Sequence, residues 1–342
     1  MASGVSIEVL DLRHFAAPLL RPLLEAEGDL WRRRLHWDYR TSAKLLMQYL
    51  DSHMLPGYVA MEAGQVTGYA FCVYEESKAV IGDVFALSGR QVDPISGQNS
   101  MGEDSLFEEA AQPAREVEET LLKHLFETLQ NSPHVDRIES QLLLHPSGSH
   151  SRSFQRAGFD VYRRLFMVQQ LAGVWNMPRP VMPPELELRS WRDEDLNAAG
   201  RLIAEAYAGH PDSLINDQYR SANGSLRFLH NIVRYSGCGT FSPQVSHVIC
   251  DRSSHELVAL VLGSRVSTQS GHITQLCVRP QYRRRGLARL LLDIAATCFF
   301  RQGVTEISLT VTEANASAIR LYREEGYECE HTFDAAVWMR GA

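Results

Sequence analysis

The sequence predicts an α/β chain made of two domains in tandem, and three observations predict it. Its 342 residues suit about two domains of ordinary size. Residues 176–184 hold four prolines, which remove backbone donors and bias the chain to extended forms, as a linker does. A similar order of strands and helices recurs on either side of that run. The repeat is degenerate, visible as order of elements rather than identity.

In the first half, residues 6–12 alternate as a strand, and 58–62 with 66–74 read as a hairpin around Ala63-Gly64. Residues 80–87 form another strand. Residues 116–130 form a helix with Leu121, Leu122, Leu125 and Leu129 on one side. A strand over 137–144, a helix over 151–157 stopped by Gly158, and a strand over 159–170 complete the half. Residues 13–57 are given no element.

In the second half, 185–191 alternates as a strand, and Asp193–Asp195 caps a helix over 196–208. A polar stretch with a second helix near 213–235 follows. Residues 245–250 and 257–267 read as a hairpin joined through 251–256. Then come a strand over 271–278, a helix from Leu287, a strand over 306–311, a helix over 316–325 and a last strand near 328–339. Gly326-Tyr327 occupies the place of Gly158-Phe159 in the first half.

Composition narrows the function. The formal net charge of −7 gives no support to a general nucleic-acid binder. The charge is uneven: residues 279–301 hold six arginines against one aspartate, and 91–119 hold eight acids against one arginine. A small basic pocket in an acidic protein points to an anionic small ligand. The six cysteines, at 72, 238, 250, 277, 298 and 329, lack the close spacing of a zinc site, and no metal is expected. Reduced thiols fit a cytoplasmic setting. The N-terminal residues do not read as a signal peptide, and no apolar run approaches the roughly 20 residues of a membrane span.

The basic cluster carries the chemistry. Arg279-Pro-Gln-Tyr-Arg-Arg-Arg-Gly-Leu-Ala-Arg289 lies between the strand 271–278 and a helix start. The free N–H groups of a first helical turn and the helix dipole favour an anion such as phosphate there. Gly286 lets the backbone approach closely. Leu287, Leu290, Leu291, Ile294, Ala295 and Cys298 form a buried stripe, so packing fixes the N-terminus of this helix.

This stretch resembles the GNAT superfamily of acyl-CoA-dependent N-acyltransferases. The signature Gln/Arg-x-x-Gly-x-Gly/Ala stands here as Arg283-Arg284-Arg285-Gly286-Leu287-Ala288. A second family feature follows in Asn315-Ala-Ser-Ala-Ile-Arg-Leu-Tyr322 and Gly326-Tyr327. The resemblance covers about 185–340 well and 5–171 in outline. It implies two tandem GNAT-like domains, each a mixed, mostly antiparallel sheet flanked by helices. Residues 1–175 would be a degenerate domain, 176–184 the linker and 185–342 an acetyl-CoA-binding domain.

The resemblance also implies roles. Arg283 and the backbone N–H groups from Arg284 to Arg289 would hold the coenzyme A pyrophosphate. Leu276, Cys277 and Val278 would line the pantetheine arm, with an N–H near Val278 facing the thioester carbonyl. Asn315 would bond the arm, and Tyr322 would protonate the leaving thiolate. As residues alone, Asn315 is equally a helix N-cap and Gly326 a helix C-cap. Where many relatives carry a strand carboxylate, this chain has Thr274 and Gln275, neither of them a base. His272 is the nearest titratable substitute, with His247 and Glu313 behind it. Cys277 reads as a core or pocket-lining thiol. The acceptor would enter beside Tyr207, His210, Asp212, Asn216, Asp217 and Tyr219.

The first half lacks this machinery. At the matching place it has Phe85-Ala-Leu-Ser-Gly-Arg90, the acidic stretch follows, and Phe154 stands where Tyr322 does. The expected function is transfer of an acetyl group from acetyl-CoA to a small-molecule or peptide amine by direct attack in the second domain. The competing reading is a non-enzymatic module that binds CoA or acyl-CoA for regulation.

Overall fold

The computed structural model describes residues 6–87, 103–171, 181–234 and 239–341, with 103–113 described by backbone alone. Residues 176–180 of the expected linker, residues 91–102 of the acidic stretch, the loop end 88–90 and Cys238 lie outside the described residues. In chain order the first half runs β1 (Glu8–Asp11), α1 (Ala17–Leu35), α2 (Arg40–Asp51), β2 (Gly57–Glu62), β3 (Gln65–Glu75), β4 (Lys78–Ala86), α3 (Glu103–Asn131), β5 (Arg137–Gln141), α4 (Ser151–Arg156) and β6 (Asp160–Gln170). The second runs β7 (Leu186–Ser190), α5 (Leu196–Ala206), α6 (Asp212–Ile215), α7 (Ala222–Arg234), β8 (Thr240–Phe241), β9 (His247–Asp251), β10 (Leu257–Arg265), β11 (Ser270–Val278), α8 (Leu287–Arg301), β12 (Glu306–Thr312), α9 (Ala316–Glu324) and β13 (Glu328–Met339).

Contacts divide the chain into two compact units that are not its linear halves. The first holds Met1–Trp31, Tyr39–Val161 and Asp334–Ala342; the second holds Arg32–Asp38 and Tyr162–Phe333. Strand pairing is the reason. In the first unit the order is β1-β2-β3-β4-β5, and the end of β13 adds antiparallel to β5 through Ala335–Met339. In the second the order is β6-β12-β11-β10-β9-β7, with β8 also on β10. There β6, from the first half of the sequence, pairs antiparallel with β12 from Glu306↔Gln170 to Thr312↔Arg164. Each half thus gives its last strand to the sheet of the other unit.

The two units repeat one design in detail. Only β4–β5 and β11–β12 are parallel among the described pairs within the units, and each is paired over four residues. Each long strand then carries a bulge at the same point. The β3–β4 register steps from Cys72↔Ile81 to Phe71↔Asp83, and β10–β11 steps from Gly263↔Ile273 to Leu262↔Gln275. Gly82 thereby matches Thr274, Asp83 matches Gln275, Val84 matches Leu276 and Ala86 matches Val278.

Helices cover both faces of each sheet. In the first unit Leu121, Leu122, Leu125 and Leu129 of α3 pack on one face, and Leu20, Leu23, Leu24, Leu46 and Leu50 of α1 and α2 pack on the other. Helices α1 and α2 were not expected from the sequence. Pro22 lies inside α1 and forfeits one hydrogen bond, but burial of its leucines carries the helix through. In the second unit α8 buries Leu287, Leu291, Ala295 and Phe299, while α5 and α7 bury Leu202, Ile203 and Leu229 on the opposite face. Ile294 and Cys298 of the expected stripe are half-buried at its margin. The second helix expected near 213–235 is instead α6, a short 3₁₀ turn and α7. No helix among the described residues is long and apolar enough to cross a membrane.

Candidate active site

The bulge at Thr274 opens the site. A bulge bends its strand, and Thr274 Oγ1 holds the bend by donating to the Leu262 carbonyl at 3.1 Å. Beyond it β11 no longer pairs with β12, and a cleft of about 290 Å³ opens between them. Thr274 to Val278 line one side, Leu309 to Val311 the other, and Tyr207, His210, Asp212, Asn315 and Tyr322 close over it.

The free edge of β11 presents donors to this cleft. Arg279 N–H reaches back to the Val258 carbonyl of β10 at 2.8 Å. Successive peptide groups along a strand point to opposite neighbours, so Val278 N–H faces the cleft. The Leu276 N–H, on the same edge, donates to Gln275 Oε1 at 3.0 Å. That oxygen also accepts from the Tyr207 hydroxyl at 2.8 Å, while Gln275 Nε2 is buried with no partner among the described residues.

At the end of the cleft the chain turns into α8 through a backbone nest. Arg284 has φ of 61° and Gly286 φ of 77°. The left-handed region suits glycine and costs an arginine about 1 kcal/mol or more. Alternating hand turns successive N–H groups toward one point, which makes an anion-binding concavity. No acceptor is found among the described residues for the N–H groups of residues 284–289, whereas Leu290 N–H closes the first helical bond onto Gly286. The surrounding arginines are anchored. Arg283 Nη2 donates to the Ala206 carbonyl at 2.6 Å, at the end of α5. Arg285 pairs with Glu185 and lies over the Tyr282 ring, and Arg289 pairs with Glu324 and Glu325. Arg284 is exposed and pairs with no described residue, so its charge is available to a ligand.

Tyr322 reaches the cleft from α9. Burial, with the Asp212 carboxylate nearby, pushes its hydroxyl well above the ordinary tyrosine range, so it is a proton donor at neutral pH. Asn315 caps α9 by accepting from Ala318 N–H at 3.2 Å, and its Nδ2 meets His210 Nε2 at 3.2 Å. His210 Nδ1 accepts from the Asp212 backbone N–H at 3.2 Å and lies 3.7 Å from the Asp212 carboxylate. Asp212 is held in turn by the Thr312 hydroxyl. Burial lowers the pKa of His210, which keeps the ring neutral and able to take up a proton. Arg164 of β6 also lines the cleft, donating to Thr310 Oγ1 at 3.4 Å and lying over Phe333.

The structure thus brings together Leu276, Cys277, Val278, Arg283, Ala288, Asn315 and Tyr322 in one cleft, with Leu287 buried behind it. The Cys277 thiol is pushed far up by burial, so it stays protonated. His272 is not brought to the cleft. It is buried against Trp37, its Nδ1 lies 2.9 Å from Ser308 Oγ, and burial with the Arg164 charge pushes its pKa down to about 3. The reason is strand alternation before the bulge, which turns its ring to the core face. Of the other two candidate bases, His247 is buried beside the Val245 carbonyl and Glu313 sits outside near Arg163. His210 and Asp212, read from sequence only as polar residues of the acceptor loop, are the titratable pair that does line the cleft. The sequence holds no signal that this loop folds onto Thr312 and Asn315.

The first unit shows the matching edge already used. Ala86 N–H, the counterpart of Val278 N–H, donates to Glu118 Oε1 at 3.3 Å, and the Val84 carbonyl accepts from His145 Nε2 at 2.8 Å. Phe154, the counterpart of Tyr322, is buried in the core.

Comparison with known proteins follows the same lines. Residues 214–327 match the Acetyltransferase (GNAT) family. A mycothiol acetyltransferase of Geodermatophilus obscurus is 28% identical over 188 residues, which are 54% of this chain and 58% of that protein. The chain therefore spans little more than half the length of that relative. Among solved structures, a GCN5-related N-acetyltransferase from Sphaerobacter thermophilus aligns with a TM-score of 0.57 at 19% identity, over 97% of this chain and 95% of that one. A tandem GNAT protein from the clavulanic acid biosynthesis pathway aligns with a TM-score of 0.53 at 13% identity, over 98% and 99%. Signature loop, splayed strands and family match agree on an acetyltransferase (GNAT) domain over residues 214–327, and the solved structures share the tandem fold.

Proposed function

We propose that the second unit is an acetyl-CoA-dependent N-acetyltransferase that transfers the acetyl group to an amine by direct attack. One observation carries this reading: a single cleft lined by Val278, Arg283, Ala288 and the protonated Tyr322 ends at the nest, where the amides of 284–289 meet no acceptor among the described residues. The amides and Arg284 bind the pyrophosphate of acetyl-CoA. The free edge of β11 orients the pantetheine arm. Val278 N–H stabilises the oxyanion that develops on the thioester carbonyl. Tyr322 gives its proton to the departing thiolate.

An alkyl amine is mostly protonated at neutral pH and attacks only as the free base. His210 takes that proton, and Asp212, 3.7 Å from Nδ1, stabilises the charged ring. The acceptor is a small-molecule or peptide amine that enters beside Tyr207, His210 and Asp212. Residues 185–342 form the working domain by sequence, completed by β6 from the first half. The family match and the relative named for acetyl transfer support the reaction class.

The test is release of coenzyme A from acetyl-CoA across a panel of amines, followed with a thiol reagent. Acceleration by at least one amine is expected. Tight acetyl-CoA binding with no release above the hydrolytic background for any amine would favour the regulatory binding module and sink the enzyme reading.

A further inference from the structure

Three metal-ligating side chains of the first unit converge outside the proposed reaction. Glu118 lies on α3, His145 follows β5, and His150 is the N-cap residue of α4. Glu118 Oε2 is 3.1 Å from His150 Nε2 and 3.8 Å from His145 Nδ1, and the two ring nitrogens are 3.3 Å apart. Ligands about 2.0–2.1 Å from a tetrahedral zinc ion lie roughly 3.3 Å from one another. The three donor atoms therefore already stand near the corners that such an ion requires.

The surroundings orient two of the donors. The Val84 carbonyl can only accept, so His145 Nε2 carries the ring proton and Nδ1 turns its lone pair to the cluster. A backbone carbonyl on the far nitrogen is the usual support of a metal-bound histidine. Ala86 N–H holds Glu118 Oε1 and leaves Oε2 facing the rings. His150 is 4% exposed, and its Nδ1 meets no partner among the described residues whether or not an ion is present. The spacing His145-x₄-His150 falls in the range of zinc-binding pairs. Arg115, a cation on the same helix, is offset by Glu119 at 3.5 Å.

We propose that Glu118, His145 and His150 bind one divalent transition ion of the zinc class. Two imidazoles and a carboxylate supply nitrogen and oxygen donors without sulfur, which suits zinc and also cobalt. Through Ala86 and Val84 the ion's ligands occupy the strand edge whose counterpart in the second unit faces the cleft. The site is independent of the acetyl-transfer reading, and a chain with no transferase activity would still bind the ion.

The experiment uses the full chain stripped with a chelator, then titrated with Zn²⁺ in calorimetry and with Co²⁺ in visible absorption. One equivalent is expected, with the ligand-field bands of a nitrogen–oxygen site and no thiolate charge-transfer band. Glu118→Gln and His150→Gln should each weaken Zn²⁺ by at least about 100-fold, beyond the loss that outer-shell changes cause. Metal-free variants that melt with metal-free wild type establish that the loss is local. If one variant does not fold, the other decides, through loss of the Zn²⁺-dependent rise in melting temperature. Absence of stoichiometric binding, equal affinity in the variants, or a thiolate band from a cysteine site would each overturn the proposal.

Discussion

The proposed reaction divides its proton traffic between Tyr322 and His210. Tyr322 is held protonated by burial and by the Asp212 charge, so in the proposed reaction it serves as donor rather than base. Tyr322→Phe should lower turnover by about 10²-fold, the scale of a lost general acid, with acetyl-CoA affinity unchanged. Steady-state rates and calorimetry on the same preparation check this, and an unchanged rate makes the residue structural. The proposal gives His210 the opposite task, and burial lowers its pKa. The sign follows: the working form is neutral, so kcat/KM falls as pH drops through the histidine pKa. Because burial lowers that pKa, the acid limb should lie below the ordinary value of about 6.5. His210→Gln should remove that limb along with most of the rate; a variant that keeps the wild-type pH profile excludes His210 as the base. The role of His210 was not readable from the loop sequence. Tyr322 came from a motif, whereas His210 gained its place only when its loop folded onto Thr312 and Asn315.

Among the elements, the proposal gives the anchoring of the cofactor to the strand–nest–helix unit of β11, residues 283–286 and α8. Its geometry is local, which is why it was legible: the leucine stripe fixes the helix, Gly286 permits the left-handed turn, and the amides of the first turn are left without acceptors. Arg284 and Arg285 are surface residues, so reversing their charge costs the fold little. Arg284→Glu with Arg285→Glu should weaken acetyl-CoA by at least about 100-fold in calorimetry, while the melting temperature stays within a few degrees. Unchanged affinity would refute the nest as the pyrophosphate site. The bulge at Thr274 was not legible. It depends on register against β10, and the strand pattern 271–278 reads equally well with or without it. That one extra residue also decides the fate of His272, which lies on the paired side of the bulge and faces the core.

Over the whole molecule, the two units share a plan and differ at the strand edge. In the second, Val278 N–H faces a cleft; in the first, Ala86 N–H is bonded to Glu118 and Val84 to His145. One acetyl-CoA per chain is therefore expected, and a stoichiometry of two in calorimetry would overturn the assignment of the first unit. Legible in the sequence were the tandem plan, most strands and helices, the signature loop and the residues Leu276 to Val278 that line one side of the cleft. The elements and the turn at Gly286 rest on periodicity, capping and glycine chemistry, which act over a few residues, whereas the cleft-lining residues came from the family resemblance. The sequence did not determine α1 and α2, where prolines and charge hide a leucine face that only the sheet reveals. Nor did it determine the exchange of β6 and the end of β13 between units, or the meeting of Glu118 with His145 and His150. A strand edge offers the same amides and carbonyls to any partner, and residues 27 or more apart in sequence meet only through the packing of the sheet between them. For that physical reason the basic loop was written locally, while the placing of His210 on its cleft and the bonding of Ala86 to Glu118 were decided by tertiary structure.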